Sequence, residues 1–152
     1  MTTLWRETRR YESVERGDVL AELIVPITRT LIVAGAIASV DYQDVHHDVE
    51  AAHRRGSKDI FMNILTTNGL VGRYVTDWSG PGGILKKVSI RLGVPNYPDD
   101  TMTLSGSVAE KSGVEPDGLH GIVELAIRGT NGIGDHVVAE VSVGLPTSKA
   151  LS

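Results

Sequence analysis

The feature that most constrains this chain is a change of hydrophobic period near its middle. From Asp59 to Tyr74 the apolar residues Ile60, Ile64, Val71 and Val75 fall near helical spacing, with Leu65 and Leu70 widening the stripe. From Ile84 onward the period shortens to that of strands, which the spacing places at 84–94, 101–109, 121–128 and 136–145. Alternation is nearly strict in Met102-Thr-Leu-Ser-Gly-Ser-Val108 and is partly repeated from His136 to Val143. The breakers in TDWSGPGG, Thr76 to Gly83, separate the two regimes, and PNYPDD, EKSGVEPDG and GTNGIGD supply the turns. One long helix and one run of antiparallel strands make an α+β pattern, most economically a sheet curled around that helix. The sheet's other face must then be wet, or covered by another copy or a partner. Gly69 and Gly72 inside the helix should each cost about 1 kcal/mol relative to Ala, which a sheet packed closely against them would offset.

The first half is shorter in signal. Val19 to Thr30 reads as a strand that Pro26 confines to an edge or a bend, with a second strand possible from Thr30. Asp48-Val-Glu-Ala-Ala-His-Arg-Arg55 reads as a short helix, capped by Asp48 and stopped by Gly56. With 152 residues and no internal repeat or linker, residues 1–152 are expected to form one domain. The 41% hydrophobic content is enough for a core, and 22% charged residues argue against disorder.

Charge and composition remove several functions. A net charge of −4 disfavours nucleic acid as a partner, because that affinity comes mainly from clustered Lys and Arg neutralising phosphates. Without cysteine there is no disulfide, no thiolate nucleophile and no Cys-ligated zinc. The N-terminal stretch MTTLWRETRRYESVERGD lacks the apolar segment of a signal peptide, and the apolar run Leu31 to Val40 is half a membrane span. The expected location is the cytoplasm, without membrane association.

Chemistry concentrates in DYQDVHHD, Asp41 to Asp48, with three carboxylates and two imidazoles. Asp41 and His46 would face apart on a strand and sit about 140° apart on a helix, so only a strand end turning into a short helix brings them together. Such a junction would let a carboxylate and an imidazole share one water, as general acid/base catalysis requires. A metal reading rests on Asp44, His47 and Asp48 or on His46, Glu50 and His53, each set able to share a helical face. No recognised ligand motif supports it, and Asp44, His47 and Asp48 read better as a turn and a cap. The residues alone leave Asp41 and His46 open between a functional pair and ordinary polar residues.

The pattern Asp-x-x-x-Val-His-x-Asp-x-Glu-Ala-Ala, from Asp41 to Ala52, resembles the signature D-x-N-P-I-H followed by V-D-P-E-A-A of MaoC-like, R-specific enoyl-CoA hydratases. Gln43 and Asp44 stand where that signature has Asn and Pro. Arg91-Leu-Gly-Val-Pro-Asn-Tyr-Pro-Asp-Asp-Thr101 resembles the family's P-V-x-x-G-D-T turn, with Asp99 in place of Gly. Together with GSKDIFMNILTTNGLVGRYVTDWSGP, these stretches are similar to the small catalytic subunits of actinobacterial heteromeric steroid side-chain enoyl-CoA hydratases. The resemblance implies a hot-dog fold, a curved antiparallel sheet wrapped around one long central helix. It further implies Asp41 and His46 as catalytic residues, a CoA thioester as substrate with no cofactor or metal, and a second MaoC-like chain as partner in a heterotetramer, with room for steroid rings where the partner lacks a full central helix. Water would add to the α,β-unsaturated thioester of a steroid side chain during β-oxidation, giving a 3-hydroxyacyl-CoA.

By the same resemblance the backbone N–H of Asn63 would polarise the thioester carbonyl, although Met62-Asn63 stands where the wider family has His-Gly. Trp78, with Tyr74, would line the acyl tunnel, and Arg91 would join Arg54, Arg55, Lys58, Lys86 and Lys87 as the cations available to CoA phosphates. The rival functions are a hot-dog acyl-CoA thioesterase and a non-catalytic scaffold subunit. Retention of both Asp41 and His46 favours the hydratase.

Overall fold

The computed structural model describes residues 7–150. The first six residues of the N-terminal stretch considered above lie outside them. In chain order the elements are β1 (Val19–Ile27), α1 (Arg29–Ala38), α2 (Val49–Arg54), α3 (Ile64–Ser79), β2 (Ile84–Leu92), β3 (Asp100–Val114), β4 (His120–Asn131) and β5 (Gly134–Pro146), with short 3-10 turns at Tyr11–Ser13 and Asp44–His46. The strands form one sheet in the order β1-β3-β4-β5-β2, every neighbouring pair antiparallel. Pro26 lies in β1, an edge strand, where a missing backbone N–H costs least.

Alternation builds the core. Met102, Leu104 and Val108 of β3, Val123, Leu125 and Ile127 of β4, and Val141 and Val143 of β5 point to one face and are buried. Against them α3 lays Leu70, Val71, Tyr74 and Val75, the i, i+1, i+4, i+5 stripe of a helix with one covered face. Register shifts between Val108 and Glu110 and between Lys111 and Gly113 in β3, with others in β1 and β2, bend the strands so that the sheet wraps the helix. The outer face carries Arg128, Glu140 and Ser142, with Ala126 and Val138 between them, and is largely polar.

Three expectations change. The segment after Thr30 is not a second strand but α1. Thr28 caps it, its Oγ1 accepting from Leu31 N–H at 3.0 Å, and Gly35 presents no side chain where another helix approaches. The long helix begins at Ile64, because Asp59 is taken by Arg29 (Nη1 to Oδ1, 2.9 Å) while Asn63 provides the cap. It then runs through Asp77 and Trp78 to Ser79 and ends at Gly80, whose φ of 78° suits glycine. Finally, a Cβ on Gly69 would meet nothing within 4 Å, and one on Gly72 would make only ordinary contact with Leu85. The close approach occurs instead at Gly35 of α1, where a Cβ would collide with Thr66 of α3.

The short helix forms as its sequence suggests, with Asp48 Oδ1 accepting from Ala51 N–H at 2.9 Å and Gly56 at φ 83° just beyond its end.

Candidate active site

The C-terminal end of α1 aims the first site residue. Ser39 N–H still bonds Gly35 O at 3.0 Å, and Asp41 N–H reaches back to Ala36 O at 2.9 Å. Between them Val40 adopts φ 59°, a left-handed conformation that a β-branched residue takes only at a cost. The chain then enters the 3-10 turn Asp44–His46, which returns His46 beside Asp41 with Nε2 3.4 Å from Asp41 Oδ2. Both side chains are largely buried, at 7% and 14% exposure. The junction required to unite the pair is therefore present, though a helix end precedes the turn rather than a strand end.

His46 Nδ1 lies 2.7 Å from the carbonyl oxygen of Phe61, which can only accept, so Nδ1 carries a proton. In the neutral ring Nε2 is then a lone pair facing a carboxylate. Two acceptors do not bond each other, but one water can donate a hydrogen to each. The Phe61 ring also meets the His46 ring edge-on, at 5.1 Å between centroids. Asp41 is held below the usual carboxylate range, chiefly because Asn63 Nδ2 donates to Oδ2 at 3.0 Å; partial burial opposes this.

Asn63 is 2% exposed and occupies the N-cap of α3, its Oδ1 accepting from Thr66 N–H at 3.0 Å. Among the described residues no acceptor meets its backbone N–H. That donor and the positive end of the helix dipole lie at the same cleft as the Asp/His pair. The cleft, about 300 Å³, is walled by Phe61, Met62, Ile64, Leu92, Val94 and Pro95, with His136 at its base. The two segments that bring Asp41 and Asn63 to it carry exposed apolar residues: Ile37, Val40 and Tyr42 at the α1 end, Ile64 and Leu65 in the first turn of α3.

The remaining candidates lie elsewhere. Trp78 is fifteen positions along α3 from Asn63, about 22 Å by helical rise, and lines a separate cavity of about 650 Å³ with Tyr74, beneath the Arg9 guanidinium. Arg91 is exposed and follows Ile90, which packs against the core, so it sits on the outer side of β2. Arg54 and Arg55 pair with Glu50 and Asp44, and Lys86 pairs with Glu115. Lys58 stacks over Tyr97, whose ring meets Phe61 of the cleft wall. The metal sets do not assemble: Asp44 is engaged by Arg55, Asp48 caps α2, and no metal-holding cluster occurs among the described residues.

Sequence reasoning missed the side chain of Asn63, Ser39 and His136. Asn63 carried a readable cue, an Asn directly before an apolar run, which the earlier helix start concealed. Nothing marks His136 beyond its place at the head of a valine-rich strand.

A sheet wrapped around one helix, with an Asp/His pair at that helix's amino end, defines the hot-dog class of proteins in its hydratase form. No family model matches the chain. It is, however, 47% identical over 132 residues, 87% of this chain and 97% of the relative, to the 3-oxo-4,17-pregnadiene-20-carboxyl-CoA hydratase beta subunit of Mycobacterium tuberculosis. A chain of the ChsH1-ChsH2 complex from the same organism superposes with a TM-score of 0.79 at 47% identity, covering 86% of this chain and 98% of that one. The R-hydratase PhaJ1 from Pseudomonas aeruginosa shares the fold at a TM-score of 0.79 and 23% identity, covering 91% of this chain and 86% of its own. The chain belongs to the MaoC-like enoyl-CoA hydratase family.

Proposed function

We propose that this chain is the acid/base subunit of a heteromeric hydratase that adds water to the α,β-unsaturated CoA thioester of a steroid side chain, giving the 3-hydroxyacyl-CoA. The observation that carries the reading is the pair Asp41 and His46, 3.4 Å apart in a half-enclosed cleft. It is supported by the 47% identity to a chain named as a steroid-carboxyl-CoA hydratase subunit.

In the proposed reaction a water donates one hydrogen to His46 Nε2 and the other to Asp41. As its oxygen bonds to the β-carbon, His46 takes its proton and Asp41 holds its orientation. The electron pair of the alkene moves toward the thioester oxygen, where the Asn63 N–H and the α3 dipole stabilise the enolate-like charge. The α-carbon then receives a proton from the same pair. Water enters whole and no oxidation state changes overall, so the reaction calls for no redox cofactor, and the Asn63 N–H with the α3 dipole would supply the polarisation otherwise asked of a metal.

The cleft of about 300 Å³ is at the lower end of ligand-site sizes. It accommodates the reacting thioester, while a second MaoC-like chain seated on the apolar rim would enclose the rings. We assign the assembly as a heterotetramer acting in the cytoplasm; the similar chain's place in a ChsH1-ChsH2 complex supports a heteromer, and no helix among the described residues is long and apolar enough to cross a membrane.

The test is co-expression with such a partner, followed by loss of enoyl-thioester absorbance on a short linear and a steroid side-chain substrate. Asp41→Asn and His46→Ala should each reduce turnover by at least about 10²-fold without altering assembly by size-exclusion chromatography. Wild-type turnover in either variant would sink the assignment. Release of free CoA thiol instead of alkene loss would indicate a thioesterase.

A further inference from the structure

We propose that the side chain of Asn63, and not its backbone N–H alone, serves the reaction as a positioning residue that fixes the Asp41 carboxylate relative to the oxyanion donor. The inference rests on the reading of Asp41 and His46 as the water-handling pair and assigns a further function within it.

Every polar atom of this side chain is engaged. Nδ2 donates to Asp41 Oδ2 at 3.0 Å and to Ser39 Oγ at 2.8 Å, and Oδ1 accepts from Thr66 N–H at 3.0 Å. Ser39 Oγ gives its own hydrogen to Gly35 O at 2.7 Å, which leaves it a lone pair for Asn63. The amide therefore has one orientation: turned over, it would set Oδ1 against the Asp41 carboxylate and Nδ2 against a backbone N–H. By contrast, the other hydrogen bond to the carboxylate, from Gln43 N–H to Oδ1, is 3.4 Å long. The angle of the carboxylate thus depends mainly on Asn63.

The placement has a chemical consequence. Hydration acts at the two ends of a short conjugated system, with water at the β-carbon and a donor at the thioester oxygen. Asn63 touches both ends, through its side chain to the carboxylate that orients water and through its backbone N–H to the carbonyl. One residue, fixed by the first turn of α3, sets the separation between them. A donor to Asp41 also favours the charged carboxylate, the form that accepts from water. The titratable groups facing Asp41 in the cleft are His46 from the 3-10 turn and His136 from β5, and no Lys or Arg lines it.

Two substitutions separate this role from capping, because Asp and Ser both cap helices about as well as Asn. Asn63→Asp keeps the cap but sets a second carboxylate beside Asp41. Asn63→Ser keeps the cap and adds no charge, but its hydroxyl, one bond from Cβ where Nδ2 is two, draws the donor back from Asp41 Oδ2. Loss of the donor makes Asp41 easier to protonate, so the acid limb of the kcat/KM profile should move to higher pH in both variants, further in Asn63→Asp. We expect kcat to fall at least tenfold with KM within about twofold, and the thermal midpoint of Asn63→Ser to stay near wild type. A wild-type acid limb and kcat in Asn63→Ser would overturn the proposal, even if Asn63→Asp failed to fold. Asp41→Asn is assayed alongside: full turnover there defeats the hydratase reading itself, whereas an inactive Asp41→Asn beside an unperturbed Asn63→Ser defeats this inference alone.

Discussion

His46 and His136 are buried in the same cleft and differ in one hydrogen bond. Each points Nδ1 at a backbone carbonyl, Phe61 for His46 and Val94 for His136, both at 2.7 Å. Nε2 of His136 is then occupied by the Thr67 hydroxyl at 2.8 Å, whereas Nε2 of His46 faces Asp41. One ring is tied between α3 and the loop after β2; the other keeps a lone pair for a proton. Burial pushes the His136 pKa down, with its bond to Val94 opposing, so the folded protein keeps this ring neutral where the unfolded chain protonates it. Below the ordinary histidine pKa of about 6.5 the unfolded state binds more protons, and stability must fall as pH falls. Denaturant midpoints measured from pH 8 to pH 5 should decline on the acid side, and His136→Gln should flatten that decline even if its midpoint at pH 8 is lower. At this scale Asp41 and His46 were legible, because the spacing and the family signature both mark them. The Asn63 side chain was not, since its partners come from segments up to 24 positions away.

Among the elements, α1 shows most clearly where local pattern falls short. Ile32, Val33 and Ile37 favour a strand by propensity, yet the Thr28 cap and the small face at Gly35 give a helix that packs on α3. The fit is tight enough to test. Replacing an interior helical Gly with Ala ordinarily stabilises by about 1 kcal/mol, but overpacking costs about 1–3 kcal/mol. At Gly35 a Cβ would also lie 2.8 Å from Thr66 Cγ2. Gly35→Ala should therefore be neutral to destabilising by about 2 kcal/mol, and Thr66→Ala in the same chain should recover much of the loss. Denaturation of the single and double variants reads this directly; a stabilised Gly35→Ala with no coupling to position 66 would count against the interlock. Strands β2 to β5 were legible from the shortened period and the turn signals between them, with alternation nearly strict only in β3 and partial in β5. The start of α3 was not, because Ile60 is buried at the spacing of the helical stripe without being helical.

For the whole molecule, the wrapped sheet was readable from the order of periods, but the location of the exposed apolar surface was not. The outer sheet face is mostly polar, while Ile37, Val40, Tyr42, Ile64 and Leu65, on the two segments that carry Asp41 and Asn63, are exposed, Leu65 to 50%. That distribution predicts self-association of the isolated chain, relieved when a MaoC-like partner is supplied. Light scattering of the chain alone and after co-expression checks it, and a stable, fully active monomer would contradict it. The open rim also divides labour between chains. On the proposed reading, proton transfer is encoded here, in residues anchored to α1 and α3, while the walls that measure a substrate's bulk would be encoded in another gene. Selection could then change what is accepted by exchanging or reshaping the companion, leaving the hydration chemistry untouched, a modularity closed to an enzyme whose pocket lies wholly within one chain.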